Sequence, residues 1–304
     1  MVLASKTPDY IAFLQCFAVS GIFYGITIAQ AYHYFRSSRE DAAWMKWLAG
    51  VVMFLETAHM VVYIEQIDYY FSPEPQFWTI PTAYVLEIAI EILVNGFYIY
   101  RIWMLSKNIP IVIGIGLIFI ARIITFLLWL AGVIIAQFHA GVKAEQLVTA
   151  GFFGTTSAAI VLDTITAATM VFYLSRSNPG LRRSQEIITW LLVYYVNTGA
   201  ILASLSIAIL VTGYTTYKLE DSSYGFLTIA MPYLYAGIWN IFVKVLANSF
   251  FAVLNSRHIL RAKMNKPVVI DTNAFVPEPP ACKSEAGAIR IKISTEAIDS
   301  TDQV

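Results

Sequence analysis

The sequence predicts an all-α polytopic membrane protein: a seven-transmembrane-helix bundle with the N-terminus outside and the C-terminus cytoplasmic. Three observations predict it. The 304 residues are 58% hydrophobic and only 13% charged, whereas soluble domains are about a quarter charged. Seven apolar stretches each reach the roughly 20 residues that a membrane-spanning helix requires. Lysine and arginine are concentrated in alternate connections between these stretches.

The seven apolar stretches define a predicted transmembrane domain over residues 1–254. The fourth stretch is the most apolar, while Glu56 and His59 interrupt the second. The connections are short, so neighbouring helices should pack antiparallel in a single bundle. The predicted helices cover about 10–34, 47–66, 79–100, 109–138, 152–174, 187–212 and 224–253.

The orientation follows from the distribution of basic residues in the connections. One set of alternate connections holds twelve lysines and arginines, whereas the other set holds only Lys6, Lys143 and Lys218. Basic connections remain in the cytoplasm, which puts the N-terminus outside. Three arginines in the connection between the fifth and sixth helices form the predicted face for a cytoplasmic partner: Arg176, Arg182 and Arg183.

Residues 255–304 differ in composition from the membrane domain. The segment Asn255–Lys266 is basic; it could lie on anionic lipid at the inner surface or simply end the last helix there. From Pro267 onward the chain is polar and contains four prolines. This composition predicts a disordered cytoplasmic tail.

Six ionisable residues fall inside the predicted helices, where a charge is costly and usually faces the bundle interior. The acids outnumber the bases by four to two, so protons or a bound cation must neutralise the excess. Glu87 and Glu91 are four residues apart and share a helix face. The six residues are Glu56, Glu87, Glu91, Arg122, Asp163 and Lys244.

Two interpretations of these charges remain open. In the first, they are paired contacts that fix the order of the helices. In the second, they line a polar midplane cavity that binds a proton, a cation or a small amphipathic ligand. The residues proposed for this cavity are Glu56, Glu87, Glu91, Asp163 and Lys244.

No enzymatic motif is present, and we predict no catalytic residue, metal site or cofactor. His59 lies three residues after Glu56, so the two share a helix face and could pair. The four histidines do not converge at one depth as zinc ligands would. The formal net charge is zero, which argues against a nucleic-acid partner.

Several short runs carry a resemblance to a known family. They include Leu55-Glu56-Thr57-Ala58-His59, Asn197-Thr198-Gly199, Asn248-Ser249 and Leu254-Asn255-Ser256-Arg257. Together they resemble the uncharacterised seven-helix membrane proteins of basidiomycete fungi known as domain of unknown function 6534, over about residues 24–262. The resemblance implies that six residues matter in the family as well as in this chain: Glu56, His59, Asp163, Asn197, Lys244 and Asn248.

Two departures from the family pattern stand out. The connection at 178–185 differs from the usual sequence, and Glu56 stands where the family has an aspartate. Since the family has no assigned activity, the resemblance implies an architecture and no function.

The function predicted from the residues is a receptor-like or ligand-binding seven-helix protein. The alternative is a channel or transporter for protons, cations or small molecules, and a purely structural role in the membrane is a third possibility. The predicted partners are the lipid bilayer, a small ligand or cation, and a cytoplasmic protein. The sequence predicts a multi-pass integral membrane protein and does not distinguish the plasma membrane from an endomembrane.

Overall fold

The computed structural model describes most of the membrane domain. The described residues are 7–38, 41–71, 78–138, 142–176, 182–219 and 225–264. Side-chain environments are described over 11–38, 41–67, 78–136, 138, 142–176, 196–216 and 234–256. The predicted disordered tail, 267–304, therefore lies outside the described residues.

The described residues form seven α-helices, which confirms the predicted fold class. All seven are long and apolar enough to cross a membrane, as expected of a multi-pass integral membrane protein. The orientation of the bundle in the membrane stays a prediction. The helices are α1 (Thr7–Ser37), α2 (Ala43–Phe71), α3 (Thr79–Ser106), α4 (Ile109–Phe138), α5 (Val142–Arg176), α6 (Arg182–Leu219) and α7 (Gly225–Met264).

Most of the helices are longer than the predicted spans, because hydropathy marks only the apolar centre of a helix. α5 begins at Val142 instead of residue 152, and its first turn contains the polar Glu145. α7 continues to Met264 instead of ending at 253. The next helix-breaking residue is Pro267, which lacks the backbone N–H that a helix interior needs.

Contacts between successive helices form a closed ring, and α3 and α7 make additional contacts across it. Each helix packs against the next in sequence, and α7 packs against α1 to close the ring. α3 also contacts α5 and α7, and α7 contacts α2. Most of the apolar part of α3 and of α7 is buried, whereas less than a quarter of that of α4 and of α6 is buried. The polar side chains discussed below therefore gather around α3 and α7.

A layer of aromatic rings fills the bundle towards the end where α3 begins and α4 ends. We call Tyr84, Trp129, Phe152, Tyr235 and Trp239 the aromatic layer. The Trp129 ring lies 4.4 Å from Tyr84 and 5.9 Å from Trp239, measured between centroids. The Phe152 and Tyr235 rings are 5.7 Å apart. By the predicted orientation, this layer lies in the outer half of the bundle.

Glycines allow α4 and α5 to approach closely. A Cβ atom built on Gly151 would lie 2.5 Å from the backbone nitrogen and Cα of Trp129. A Cβ atom on Gly132 would lie 2.7 Å from the backbone nitrogen of Val148. Because backbone atoms cannot move aside as a flexible side chain can, these positions require glycine. Small residues at helix contacts are a common means of association in membranes.

We expect Gly151→Ala to lower the stability of the bundle by about 1–3 kcal/mol, the usual cost of overpacking a filled interior. The matched control is Gly114→Ala on α4, where an added Cβ meets no atom within 4 Å. That control should be neutral or slightly stabilising, since alanine favours a helix. The stability of each variant is measured from the thermal unfolding of the purified protein, monitored by tryptophan fluorescence. Equal midpoints for the two variants would contradict the close α4–α5 contact.

Candidate functional site

Lys244 and Glu56 form an ion pair between α7 and α2. The Lys244 Nζ donates to Glu56 Oε2 at 2.6 Å and lies 3.3 Å from the backbone oxygen of Glu56. Both side chains are fully buried. The ammonium also lies 5.6 Å from the centre of the Tyr24 ring on α1, a distance at which a ring face attracts a cation. Lys244 is thus held by α2 and α1 together.

Arg122 and Glu91 form a second buried pair, between α4 and α3. The Arg122 Nη2 donates to Glu91 Oε1 at 2.7 Å. The guanidinium carbon lies 5.5 Å from the centre of the Phe242 ring on α7. The remaining nitrogens of Arg122, Nε and Nη1, have no hydrogen-bond partner among the described residues.

His59 and Glu87 form the third pair, between α2 and α3. The His59 Nε2 lies 3.1 Å from Glu87 Oε1, and both side chains are buried. A proton on Nε2 makes the histidine the donor of this hydrogen bond. Sequence reasoning considered a pair between His59 and Glu56. The structure gives each of them a partner on another helix instead.

One face of α3 carries most of this polar structure. Glu87, Glu91, Asn95 and Tyr98 follow one another at intervals of four, four and three residues, which places them on the same helix face. We call them the α3 polar face. Its last member, Tyr98, shares a 2.6 Å hydrogen bond with Ser249 on α7. Sequence reasoning identified the two glutamates and missed Asn95 and Tyr98, although the same periodicity points to them.

Asp163 on α5 differs from Glu56, Glu87 and Glu91 because no ion pair joins it to a basic side chain among the described residues. It is only 6% exposed, and its Oδ2, like Glu56 Oε1 and Glu87 Oε2, has no hydrogen-bond partner among the described residues. The charges of Arg122 and Glu91 both act on its carboxylate. Since Arg122 already binds Glu91, one guanidinium faces two carboxylates.

Asp163 also lines a pocket between α3, α5, α6 and α7, which we call the Asp163 pocket. Its enclosed space is about 40 Å³, and the open region at its mouth brings the unfilled space to about 420 Å³. The enclosed part exceeds the roughly 10–15 Å³ that one water needs and is far below the roughly 300–1,000 Å³ of ligand pockets, so it takes a small polar group and a larger group would lie in the mouth. The lining residues are Asn95, Tyr98, Asp163, Thr166, Ala167, Met170, Thr198, Gly199, Leu202, Leu246 and Ser249.

The remaining predicted site residues lie elsewhere. Asn197 is exposed on α6, whereas its neighbours Thr198 and Gly199 line the pocket. Arg176 is exposed in the last turn of α5, with its guanidinium 4.9 Å from the centre of the Phe172 ring. Arg182 and Arg183 begin α6, but their side chains lie outside the described residues. Among the described side chains, no three His, Cys, Asp or Glu residues are grouped to hold a metal ion.

Two asparagines of α7 attach that helix to α1. The Asn248 Nδ2 donates to the backbone oxygen of Phe23 at 2.8 Å, and the Asn255 Nδ2 donates to that of Gln30 at 2.9 Å. Donor and acceptor both advance by seven residues, or about two helical turns. The repeat therefore fits two helices that run in the same direction. Asn255 Oδ1 also lies 3.3 Å from His33 Nδ1.

Comparison with protein families gives one match, to the region that contains these asparagines. Residues 159–259 match the model described as Family of unknown function (DUF6534). This confirms the resemblance over about a third of the chain, from Asp163 to the end of the α1–α7 contact. No curated protein and no solved structure matches the chain. The match includes Asp163, Lys244 and both asparagines, whereas the polar residues of α2, α3 and α4 lie before it.

We expect the Glu56–Lys244 pair to behave as one unit in a double-mutant cycle. Either Glu56→Leu or Lys244→Met alone should cost about 3–5 kcal/mol, because it leaves a buried charge without its partner. The double variant replaces the pair with apolar side chains and should recover most of that loss. Unfolding midpoints of the four proteins give the coupling energy. A double variant as unstable as the sum of the two single variants would contradict the pairing.

Proposed function

We propose that this protein is a receptor-like, ligand-binding seven-helix protein that holds a small amphipathic molecule in the Asp163 pocket. One observation carries the proposal. Asp163 is a buried carboxylate with an oxygen that no described residue binds, and it lines a partly open pocket between four helices. Buried polar groups are almost always hydrogen-bonded, so this oxygen is suited to a group from outside the chain.

The other buried acids support a scaffold role. Glu56, Glu87 and Glu91 each contact a basic side chain on a different helix. These contacts join α2 to α7, α2 to α3 and α3 to α4. Glu56 Oε1 and Glu87 Oε2 also have no described partner, but a ligand there would compete with a base for a buried carboxylate, which is costly in a low-dielectric interior. Of these four acids, Asp163 alone lines the described pocket.

The lining of the pocket favours an amphipathic ligand. Ala167, Met170, Leu202 and Leu246 supply apolar surface. The polar lining residues include hydroxyl, amide and carboxylate groups. A few polar groups within a mainly apolar wall are typical of small-molecule sites.

The position of the pocket links it to the predicted partner face. The pocket residues of α5, together with Thr198 and Gly199 of α6, lie in the halves of these helices that face the α5–α6 connection. Met170 is six residues from Arg176, or about 9 Å along the helix. A ligand that changes the packing of α5 against α6 would therefore act on the region of Arg176, Arg182 and Arg183, where we place a cytoplasmic partner.

The second candidate function is transport of protons, cations or small molecules. The excess of acids over bases favours it, since Glu56, Glu87, Glu91 and Asp163 accompany only two permanently charged bases, Arg122 and Lys244. The aromatic layer argues against an open channel, because the buried rings of Tyr84, Trp129 and Trp239 pack against one another within the bundle.

Small molecules that co-purify with the protein in mild detergent test the proposal most directly. We expect mass spectrometry to find a compound that is enriched with the wild-type protein and lost from Asp163→Asn, because the amide removes the charge at the pocket. The matched control is Glu145→Gln, the same type of change at an exposed position of α5. This variant should retain the compound.

Two outcomes would contradict the proposal. Identical compounds in the wild type and Asp163→Asn would show that the pocket does not select its contents. Solute movement in liposomes that contain only this protein, reduced by Asp163→Asn, would favour transport over a receptor-like function.

A further inference from the structure

We propose that the ligand of the Asp163 pocket is an organic amine, with one positively charged nitrogen bound to the Asp163 carboxylate and a short hydrocarbon group in the apolar part. This inference rests on the proposed function and names the chemical class of its ligand.

The local charge favours a cation. Glu91, Arg122 and Asp163 together carry two carboxylates and one guanidinium, and the short hydrogen bond of Arg122 goes to Glu91. The net charge of these three side chains is therefore −1 when both acids are ionised. A proton on one acid or a bound cation removes that excess negative charge, whereas an anionic ligand would increase it. A buried charge without a counter-charge is costly, so a bound cation stabilises the bundle.

The pocket offers oxygen atoms that suit an ammonium group. A protonated primary amine has three N–H donors and no acceptor. Asp163 Oδ2 can accept one of them, and the side-chain oxygens of Asn95 and Thr166 are further acceptors in the lining. Hydrogen bonds between charged groups are roughly twice as strong as neutral ones.

The same lining disfavours a metal ion. Calcium requires six to eight oxygen ligands, usually with more than one carboxylate. Asp163 is the only carboxylate in the described lining of the pocket, and no metal-binding group occurs among the described residues. An organic cation needs one counter-charge and apolar contact instead.

The apolar surface and the size limit the rest of the ligand. Ala167, Met170, Leu202 and Leu246 border the pocket on α5, α6 and α7. The enclosed part is only about 40 Å³, so it takes the ammonium group, and a short hydrocarbon group would lie in the open mouth against these side chains. By the predicted orientation the pocket lies in the cytoplasmic half, beyond the aromatic layer.

Three probes with the same hydrocarbon chain and different charges test this inference: hexylamine, 1-hexanol and hexanoate. Each is titrated into the full-length protein in phosphatidylcholine nanodiscs, and the thermal midpoint is followed by tryptophan fluorescence. We expect hexylamine to raise the midpoint at a concentration about tenfold lower than hexanol, as a charge-assisted hydrogen bond predicts. Hexanoate should give no increase.

Three variants test whether the stabilisation by hexylamine depends on Asp163. Asp163→Asn should remove the advantage of hexylamine over hexanol, and Glu145→Gln should retain it. Asp163→Glu keeps the charge and should keep the preference for the amine. The ranking of the probes on the wild-type protein requires no variant, so the inference can be tested even if Asp163→Asn fails to fold.

The outcomes separate the ligand class from the proposed function. If hexanol stabilises the wild type as well as hexylamine, and the pocket-filling variant Thr166→Phe abolishes both effects, the pocket binds ligands but the amine class is overturned. Equal responses of the wild type and Asp163→Asn to hexylamine also overturn it. If no probe changes the midpoint and no compound co-purifies, the amine class and the proposed function both fail.

Discussion

The structure depends on the cost of placing charge in an apolar interior. A charged side chain at the centre of a membrane costs about 2.5–3.5 kcal/mol on insertion scales, and this chain buries six such residues. Lys244 and Arg122 each meet a glutamate of a neighbouring helix at 2.6–2.7 Å. These contacts select which helices are neighbours and at what depth, because a shift along the bilayer normal would separate the partners.

The central position of α3 follows from the same constraint. Its polar face must be covered on every side, so α2, α4, α5 and α7 all pack against it. Glu87 and Glu91 meet bases on α2 and α4, whereas Asn95 and Tyr98 reach the Asp163 pocket. The polar face thus has a half that pairs with bases and a half that lines the pocket. That division separates the scaffold from the candidate binding site.

The sequence predicts the helices and the buried charges well but does not predict their partners. Hydropathy locates a spanning helix, and a spacing of four residues places Glu87 and Glu91 on one face. The rotation and depth of each helix then determine which buried side chains come into contact. Rotation and depth depend in turn on helix packing, such as the glycine contacts of α4 with α5. His59 therefore contacts Glu87 instead of Glu56, and Asn197 is exposed while the residues after it line the pocket.

The central claim is that Asp163 is accessible to a ligand while Glu56 and Glu91 are held by their partners. Reaction with dicyclohexylcarbodiimide tests it most directly, since this apolar reagent enters the bilayer and modifies protonated carboxyl groups that it can reach. Peptide mapping by mass spectrometry identifies the modified residues, and hexylamine serves as a competitor. The account predicts modification at Asp163, slowed by hexylamine, before Glu56 or Glu91 reacts. Modification of Glu56 or Glu91 ahead of Asp163 would contradict it.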